Sequence, residues 1–290
     1  MLGEVEHTLS QQEGRRVRVR QTQPVGGGCI NRAARLDLED GDRAFLKWTP
    51  SGAMAPGFAA EAASLSALGR TGVLRVPRVR ASGARWLLLE WLEPGSPVQG
   101  TWEALGRGLA GVHAVRGPAF GWPADNWIGS LPQHNTQHAE WPPFWRDQRL
   151  APQWRSARAA GFFGPDDDRA FERLCSVLEN ALRPGDADGP SLLHGDLWSG
   201  NVHVLEDGRP ALIDPACSWG HREVDLAMAG LFGGFGDAFF DAYCETWPLR
   251  AGYNEQRRLI YQLYYLLVHV NLFGARYVQG VRTVVRTACG

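Results

Sequence analysis

Hydrophobic and polar residues alternate in several short segments within the first third of the chain. Such alternation is typical of a strand with one buried face. It predicts strands over residues 15–23, 33–38 and 43–48, followed by two more over 77–82 and 85–92. The last of these is almost wholly apolar, as expected of a strand buried on both faces. Together they predict a small antiparallel sheet.

The pattern changes after a segment rich in chain-breaking residues, Glu-Pro-Gly-Ser-Pro at positions 93–97. Before it, only residues 58–68 have the composition of a helix, with alanines at 59, 60, 62 and 63 and a glycine, Gly69, directly after the end. After it, helices dominate the prediction. We therefore expect an α+β protein with two lobes, a sheet-rich lobe over residues 1–93 and a larger helical lobe over 94–290. The helices predicted for the second lobe are 101–115, 144–160, 165–182, 237–247 and one from 254 through 270.

Composition excludes several classes of protein. The 290 residues are 44% hydrophobic and carry a net charge of -1, which is enough material for large cores and gives no sign of nucleic-acid or membrane partners. No apolar run is long enough to span a bilayer, and residues 1–10 lack a secretion signal. Five scattered cysteines without a Cys-x-x-Cys pair predict a reduced, cytoplasmic protein without structural zinc. The composition leaves the oligomeric state open.

The chemistry is concentrated in residues 194–201, with the sequence His-Gly-Asp-Leu-Trp-Ser-Gly-Asn, and in a later aspartate, Asp214. Kinases use His-x-Asp with an Asn five positions on, and a further Asp after the next strand pair. The spacing makes Asp196 the candidate base for an attacking hydroxyl, and Asn201 and Asp214 the candidate ligands of Mg²⁺ on ATP. Each residue type is also common in turns, but the complete set at this spacing is not. We expect His194 to brace the loop.

Lys47 is the only lysine among 30 basic residues, and it falls on the third predicted strand. In kinases a lysine at this place contacts the phosphates and is aimed by a helix glutamate. Glu61 follows fourteen residues later on the first predicted helix, although a solvated surface glutamate is the alternative. A glycine turn at Gly26, Gly27 and Gly28, with Cys29 beside it, could place backbone N–H groups over the phosphates.

Two further features define the predicted site. Adenine would meet backbone groups near Glu90 and Leu92, just before the breaker-rich segment. Asp225, at the start of a helix, would accept N–H bonds from the loop of Asp196. Only eleven residues separate Asp214 from Asp225, which leaves no long activation segment, and Gly195 occupies the place of the arginine of regulated protein kinases. Both facts indicate a small-molecule kinase with a protein-kinase-like fold.

Residues 120–145 are unusually rich in tryptophan, proline, asparagine and glutamine. Aromatic rings and amides suit a polyhydroxylated ligand, because its C–H faces stack and its hydroxyls form hydrogen bonds. A long loop packed by its own aromatic side chains explains the same composition equally well.

Beyond these spacings, the sequence resembles the fructosamine kinases, also called ketosamine-3-kinases, from about residue 26 to residue 277. The resemblance implies ATP- and Mg²⁺-dependent phosphorylation of the 3-hydroxyl of fructosamines or ribulosamines, after which the unstable product sheds its sugar. It assigns the base to Asp196, the metal to Asn201 and Asp214, and the phosphate contact to Lys47 positioned by Glu61. The segments that carry it are Gly-Cys-Ile at 28–30, Asn-Trp-Ile-Gly-Ser-Leu-Pro-Gln at 126–133, residues 194–201, Ile-Asp-Pro-Ala at 213–216, Gly-His-Arg-Glu-Val-Asp-Leu-Ala at 220–227 and Leu-Phe-Gly-Gly-Phe at 231–235.

On the side of the glycated amine substrate, Trp198, Gln133, Trp219 and His221 match family segments and are candidate contacts. Two other functions remain open. One is a related phosphotransferase acting on an aminoglycoside, choline or another small alcohol, which would share the Asp and Asn spacing. The other is a non-catalytic nucleotide-binding protein. The joint presence of Lys47, Asp196, Asn201 and Asp214 argues against it.

Overall fold

Five antiparallel strands form one sheet in the first third of the protein, in the spatial order β1-β2-β3-β5-β4. The computed structural model describes residues 1–26, 32–50 and 57–288. The predicted small antiparallel sheet is confirmed. Its strands are β1 (Val19–Val25), β2 (Arg32–Leu38), β3 (Arg43–Trp48), β4 (Val79–Gly83) and β5 (Trp86–Glu90).

One face of the sheet is covered by a helix that the hydrophobic pattern did not predict, α1 (Leu2–Glu13). Its Val5 and Leu9 lie four positions apart, so they share one helix face, and both are buried against the sheet. The helix also explains why the first strand begins later than expected. Val17, counted as part of the alternation, is buried beneath α1, where its N–H donates to Ser10 Oγ at 2.9 Å.

The remainder of the chain is mainly helical, as predicted. Three two-stranded pairs accompany the helices: β6 (Asn126–Ile128) with β7 (Leu131–Gln133), β8 (Ser191–Leu193) with β11 (Ser218–Gly220), and β9 (Val202–Val204) with β10 (Pro210–Leu212). The helices are α2 (Phe58–Arg70) in the sheet-rich lobe and α3 (Thr101–His113), α4 (Trp141–Phe144), α5 (Ala151–Ala159), α6 (Pro165–Leu182), α7 (Pro184–Asp188), α8 (Glu223–Ala229), α9 (Asp237–Thr246), α10 (Arg258–Phe273) and α11 (Val278–Ala288) beyond it.

The helix predicted over residues 144–160 is in fact interrupted. A wider π-helical turn, Trp145–Leu150, separates α4 from α5. Pro152 stands in the first turn of α5, where its missing N–H is tolerated because the first turn of a helix needs no such donor. The prediction of α6 over residues 165–182 is confirmed in full, and its acidic first turn lies at the helix N-terminus as expected.

An apolar cluster joins the sheet-rich and helical parts and holds them around the cleft. It brings Phe58 and Leu65 of α2 and Leu87 of β5 together with Leu197 and Leu212 of the second part. Between the two parts the chain is tied down where Gly95 N–H donates to Val204 O at 2.8 Å. The boundary at residues 93/94 stays a prediction. Across the described ranges, no helix is both long enough and apolar enough to cross a membrane.

Candidate active site

Residues 194–201, called the base loop below, are held in place largely by their own side chains. Asn201 Nδ2 donates to the backbone carbonyl of Asp196 at 2.8 Å and to its Oδ2 at 3.0 Å. His194 Nε2 lies 2.9 Å from Ile213 O, and its Nδ1 lies 3.2 Å from Asp196 N. Burial lowers the pKa of His194, so the neutral ring donates at Nε2 and accepts at Nδ1. The predicted bracing role of His194 is confirmed.

Asp225 also holds the base loop, through the backbone of its first two residues. Its carboxylate accepts hydrogen bonds from His194 N at 2.7 Å and Gly195 N at 2.9 Å, as predicted. Gly195 has a φ of 83°, and a Cβ there would lie 2.0 Å from Ala216 O. Only glycine combines that backbone angle with so close an approach, which explains why no larger residue stands between His194 and Asp196.

Lys47, Glu61 and Asp214 form a compact ionic group across the cleft. Lys47 Nζ lies 2.8 Å from Glu61 Oε1 and 2.7 Å from Asp214 Oδ1. The lysine projects from β3, and the glutamate from the first turn of α2. Burial by itself would lower the pKa of Lys47, but the charges of Glu61 and Asp214 outweigh it and raise that pKa. The ammonium therefore stays charged, and it is only 8% exposed.

The environment of Asp196 suits a base that works near neutral pH. Burial raises the pKa of its carboxyl group to about 7, and the negative charges of Asp214 and Asp225 add to the effect. The hydrogen bond from Asn201 opposes it. A carboxylate whose pKa lies near the working pH can take a hydroxyl proton and release it again.

Asp214 and Asn201 offer the hard oxygen donors that Mg²⁺ prefers. Among the described residues, Asp214 is the one non-glycine residue with a positive φ, 55°, and its side chain is 44% exposed. A non-glycine residue in this region of backbone space often marks a functional site. Because Nδ2 of Asn201 binds Asp196, its Oδ1 is the atom that could bind a metal. Within the described ranges no cluster of three or more His, Cys, Asp or Glu side chains forms a metal site.

The structure describes only some of the other residues predicted to contact the nucleotide. Gly26 directly follows β1, and a Cβ there would meet no other atom within 4 Å. Gly27, Gly28 and Cys29 lie outside the described residues. The Glu90 carboxylate binds Arg75 and the N–H of Arg78, so backbone groups remain its means of meeting adenine. Leu92 lies in the connection between the sheet and the helical part.

The four candidate substrate contacts separate into two groups. Trp198 is 38% exposed and lies on the base loop, two residues after Asp196. Trp219 packs against Trp122, with the ring centres 5.3 Å apart. His221 is fully buried, with its ring nitrogens 2.7 Å from Tyr261 Oη and 3.1 Å from an oxygen of Asp188. Only Trp198 is thus placed at the surface near the candidate base.

Gln133, the fourth candidate, is 3% exposed and forms part of a buried amide network. Its amide nitrogen, Nε2, donates to Asn126 Oδ1 at 2.8 Å and to Ala216 O at 3.3 Å. Asn126 Nδ2 in turn donates to Cys217 O at 2.9 Å. These bonds hold residues 213–218, called the metal loop below, because this segment contains Asp214. The structure therefore places these amides behind the metal loop and away from the solvent-exposed cleft.

Packing in the core accounts for two of the tryptophans in residues 120–145. Trp141 and Trp145 are each 1% exposed, and their ring centres lie 5.3 Å apart within the main helical core. The sequence left self-packing and sugar binding equally open, and self-packing is confirmed for these two residues. Another contact had no signal in the sequence: Ser64 of α2 lies 3.4 Å from Cys217 N and so joins the helix of Glu61 to the metal loop.

Comparison with known proteins agrees with this geometry. The family model described as fructosamine kinase matches residues 1–289. A probable ketoamine kinase from Synechocystis is 38% identical over 284 residues, covering 96% of this chain and 93% of its own. A chloroplastic protein-ribulosamine 3-kinase from Arabidopsis thaliana is 36% identical over 282 residues, covering 94% of this chain and 84% of its own.

Solved structures give the same result for the fold. The crystal structure of a candidate fructosamine-3-kinase from Thermobifida fusca has a TM-score of 0.89 at 37% identity, with 99% of each chain covered. The structure of LicA in complex with AMP has a TM-score of 0.63 at 15% identity, covering 100% of this chain and 99% of its own, and shows the shared two-lobe kinase-like fold alone. By sequence across its whole length, the chain belongs to the fructosamine kinase family.

Proposed function

We propose that this protein uses ATP to phosphorylate the 3-hydroxyl group of fructosamines or ribulosamines, the sugars that become attached to amines by glycation. One observation supports the proposal at the level of residues. Lys47 contacts both Glu61 and Asp214, and Asn201 contacts Asp196, so the four residue types that phosphoryl transfer uses line one cleft. Family membership supplies the class of acceptor.

The proposed reaction joins the 3-oxygen of the sugar to the γ-phosphorus of ATP and breaks the bond between that phosphorus and the β-bridging oxygen. Asp196 orients the hydroxyl and accepts its proton, and ADP leaves with the bridging electron pair. The phosphate ester formed at the 3-position is unstable, and it then sheds the sugar from the amine.

The remaining residues hold ATP. Lys47 places a compact positive charge on the phosphates, and Glu61 fixes the direction of its side chain through their 2.8 Å contact. Asp214 and Asn201 would hold Mg²⁺, which neutralises charge on the phosphates when it is bound. Residues 26–29, for which the sequence predicts a glycine turn, would contact the phosphates, and the connection from Glu90 to Leu92 would contact adenine.

On the acceptor side we assign Trp198 alone. Its exposed ring offers a flat face for the C–H groups of a sugar, next to the hydroxyl that Asp196 would activate. Trp219, Gln133 and His221 are assigned to the supporting structure, because their side chains are engaged in the packed and buried contacts described above. The compartment we propose is the cytoplasm, since the sequence has five scattered cysteines and no Cys-x-x-Cys pair, a pattern typical of reduced proteins.

The test is an ADP-release assay with five acceptor conditions: fructosyl-lysine, ribulosyl-lysine, an aminoglycoside, choline and no acceptor. We expect Mg²⁺-dependent turnover with one or both sugar-amines and release of free lysine afterwards. A 3-O-methyl derivative of the better substrate provides the matched control, because it lacks only the proposed nucleophile. Turnover of that derivative, or preference for the aminoglycoside or choline, would overturn the assignment of the acceptor.

A further inference from the structure

Two consecutive tyrosines on α10 reach the two loops that carry the proposed catalytic groups. Tyr264 is 2% exposed and Tyr265 is 1% exposed, and both hydroxyls are hydrogen-bonded. Burying a hydroxyl costs free energy unless it has a hydrogen-bond partner. The partner of each hydroxyl therefore shows which segment that tyrosine supports. The sequence indicated α10 as scaffold and did not show which face these tyrosines occupy.

Tyr265 holds the base loop at its most critical peptide group. Its hydroxyl donates to Gly195 O at 2.8 Å. The N–H on the other side of the same peptide plane, that of Asp196, lies 3.2 Å from His194 Nδ1. These two bonds fix the rotation of the peptide between Gly195 and Asp196, and therefore the direction in which the Asp196 side chain leaves the backbone.

Tyr264 acts on the metal loop through one intermediate. Its hydroxyl donates to Gln133 Oε1 at 2.7 Å, which fixes the orientation of the glutamine amide. The nitrogen of that amide faces Ala216 O at 3.3 Å, two residues after Asp214. Loss of the tyrosine hydroxyl would leave Gln133 oriented by the bonds of its Nε2 alone, and would weaken the support of the metal loop.

The two loops are also in direct contact, so one helix supports them as a unit. Ala216 N donates to His194 O at 2.8 Å, across the interface between the metal loop and the base loop. The backbones also approach closely at Gly195, where a Cβ would lie 2.0 Å from Ala216 O. Adjacent residues of α10 therefore set the relative position of the candidate base and the candidate metal ligand.

We propose that Tyr265 is a positioning residue for Asp196 and that Tyr264, through Gln133, is a positioning residue for Asp214. Neither tyrosine touches the reacting atoms. The proposal rests on the function proposed above, because it assigns these tyrosines to the same site. It predicts different kinetic effects for two substitutions that each remove a single oxygen atom.

Tyr265→Phe should lower kcat by about 10-fold or more, since a small displacement of a catalytic group is costly. KM for ATP should change by less than about 2-fold, because Lys47 and Glu61 belong to β3 and α2 and the bond from Tyr264 to Gln133 is kept. Tyr264→Phe should instead raise the Mg²⁺ concentration needed for half-maximal activity, by about 10-fold, as for loss of an outer-shell partner of a metal ligand. At saturating Mg²⁺ its kcat should return to near the wild-type value.

Tyr261→Phe is the matched control. Tyr261 lies on the same helix and is fully buried, and its hydroxyl is also hydrogen-bonded, to Trp141 Nε1 at 3.0 Å and His221 Nδ1 at 2.7 Å. It contacts neither loop by hydrogen bond. All three variants should lose melting temperature to a similar extent, but Tyr261→Phe should keep the kcat and Mg²⁺ requirement of the wild type.

Wild-type kcat in Tyr265→Phe together with an unchanged Mg²⁺ requirement in Tyr264→Phe would overturn the proposal. An equal loss of kcat in Tyr261→Phe would also overturn it, because the effect would then follow from stability alone. Wild type and Asp196→Asn are assayed alongside with both fructosyl-lysine and ribulosyl-lysine. Failure of the proposed function would appear as an inactive wild type, whereas failure of this inference would appear only in the tyrosine variants.

Discussion

Two groups of charged residues in this protein are built in opposite ways. In the helical part, the Asp188 carboxylate contacts His221 at 3.1 Å, Arg222 at 3.0 Å and Arg250 at 2.7 Å. In the cleft, Lys47 is the one cation that contacts the carboxylates of Glu61 and Asp214 within the described residues. The first group has more than one positive partner for its carboxylate, and the second has more carboxylates than positive charges.

The pKa shifts follow from this difference. Burial alone would raise the pKa of Asp188, but hydrogen bonds and charges from His221 and the arginines outweigh it and lower that pKa. At Asp196 the hydrogen bond from Asn201 does not outweigh burial and the negative charges of Asp214 and Asp225, so its pKa is raised to about 7. Removing one partner of a paired buried charge destabilises the fold, whereas a carboxylate left short of positive charge is poised to bind a cation or a proton.

The largest effect that we expect from this difference is at Asp214 in the cleft. Asp214→Ala should abolish Mg²⁺-dependent ATP turnover, because the carboxylate is the proposed metal ligand. It should leave the melting temperature close to wild type, since the side chain is 44% exposed. The measurements are ADP release and a thermal melt. Asp207→Ala, in the exposed turn between β9 and β10, is the control. Parallel loss of stability and activity in Asp214→Ala would make that residue structural.

Asp196→Asn should lower kcat by about 10²- to 10⁴-fold, because an amide cannot accept the hydroxyl proton. Nucleotide binding, followed by calorimetry, should persist. The matched control is Asp188→Asn, which removes the same charge from the paired group. That variant should lose about 3 kcal/mol of unfolding free energy while the folded enzyme keeps its kcat. Near-normal kcat in Asp196→Asn would remove Asp196 from the role of base.

Lys47→Arg keeps the positive charge, but we expect a loss of catalysis of about 10-fold or more. The planar guanidinium is wider and cannot place a point charge between phosphate oxygens from the same position on β3. The variant should fold normally by thermal melt and turn ATP over slowly. Arg183→Lys, an exposed pair with Glu179 at 2.7 Å, should be neutral in the same assay. Wild-type kcat and KM for ATP in Lys47→Arg would contradict the prediction.

The smallest expected effect is a difference in pH dependence between Asp196 in the cleft and Asp188 in the helical part. Asp196 must be ionised to act, so kcat/KM should fall by about tenfold per pH unit below pH 7. Its raised pKa favours the protonated folded state, so its contribution to stability is present below pH 3.8 and is lost as pH rises toward 7.

Asp188 has the opposite sign. Its lowered pKa contributes stability above pH 3.8, which is lost as pH falls below that value. Activity should be measured as kcat/KM against pH at constant ionic strength, and stability as melting temperature over the same series. A flat activity profile between pH 6 and 8, or an acid limb that persists in Asp196→Asn at its residual rate, would contradict the assignment of this limb to Asp196.

Local spacing made much of the site predictable. Asp196 and Asn201 lie five positions apart, and a single turn brings their side chains within 3.0 Å. Lys47 and Glu61 are separated by one strand end and the start of one helix, which explains why their contact could be expected before the structure was known. In each case the relevant geometry is set within or between neighbouring elements of the chain.

The sequence by itself determined the residue types of the site, their spacing, the family and the division into a sheet-rich and a helical part. Only the tertiary structure decided which of the many aromatic and amide side chains face the cleft and which support it. Gln133 and Tyr264 are 131 positions apart, and Gly195 and Tyr265 are 70 apart. Periodicity specifies the face of an element but not what covers that face, because burial depends on elements that are brought together only by folding.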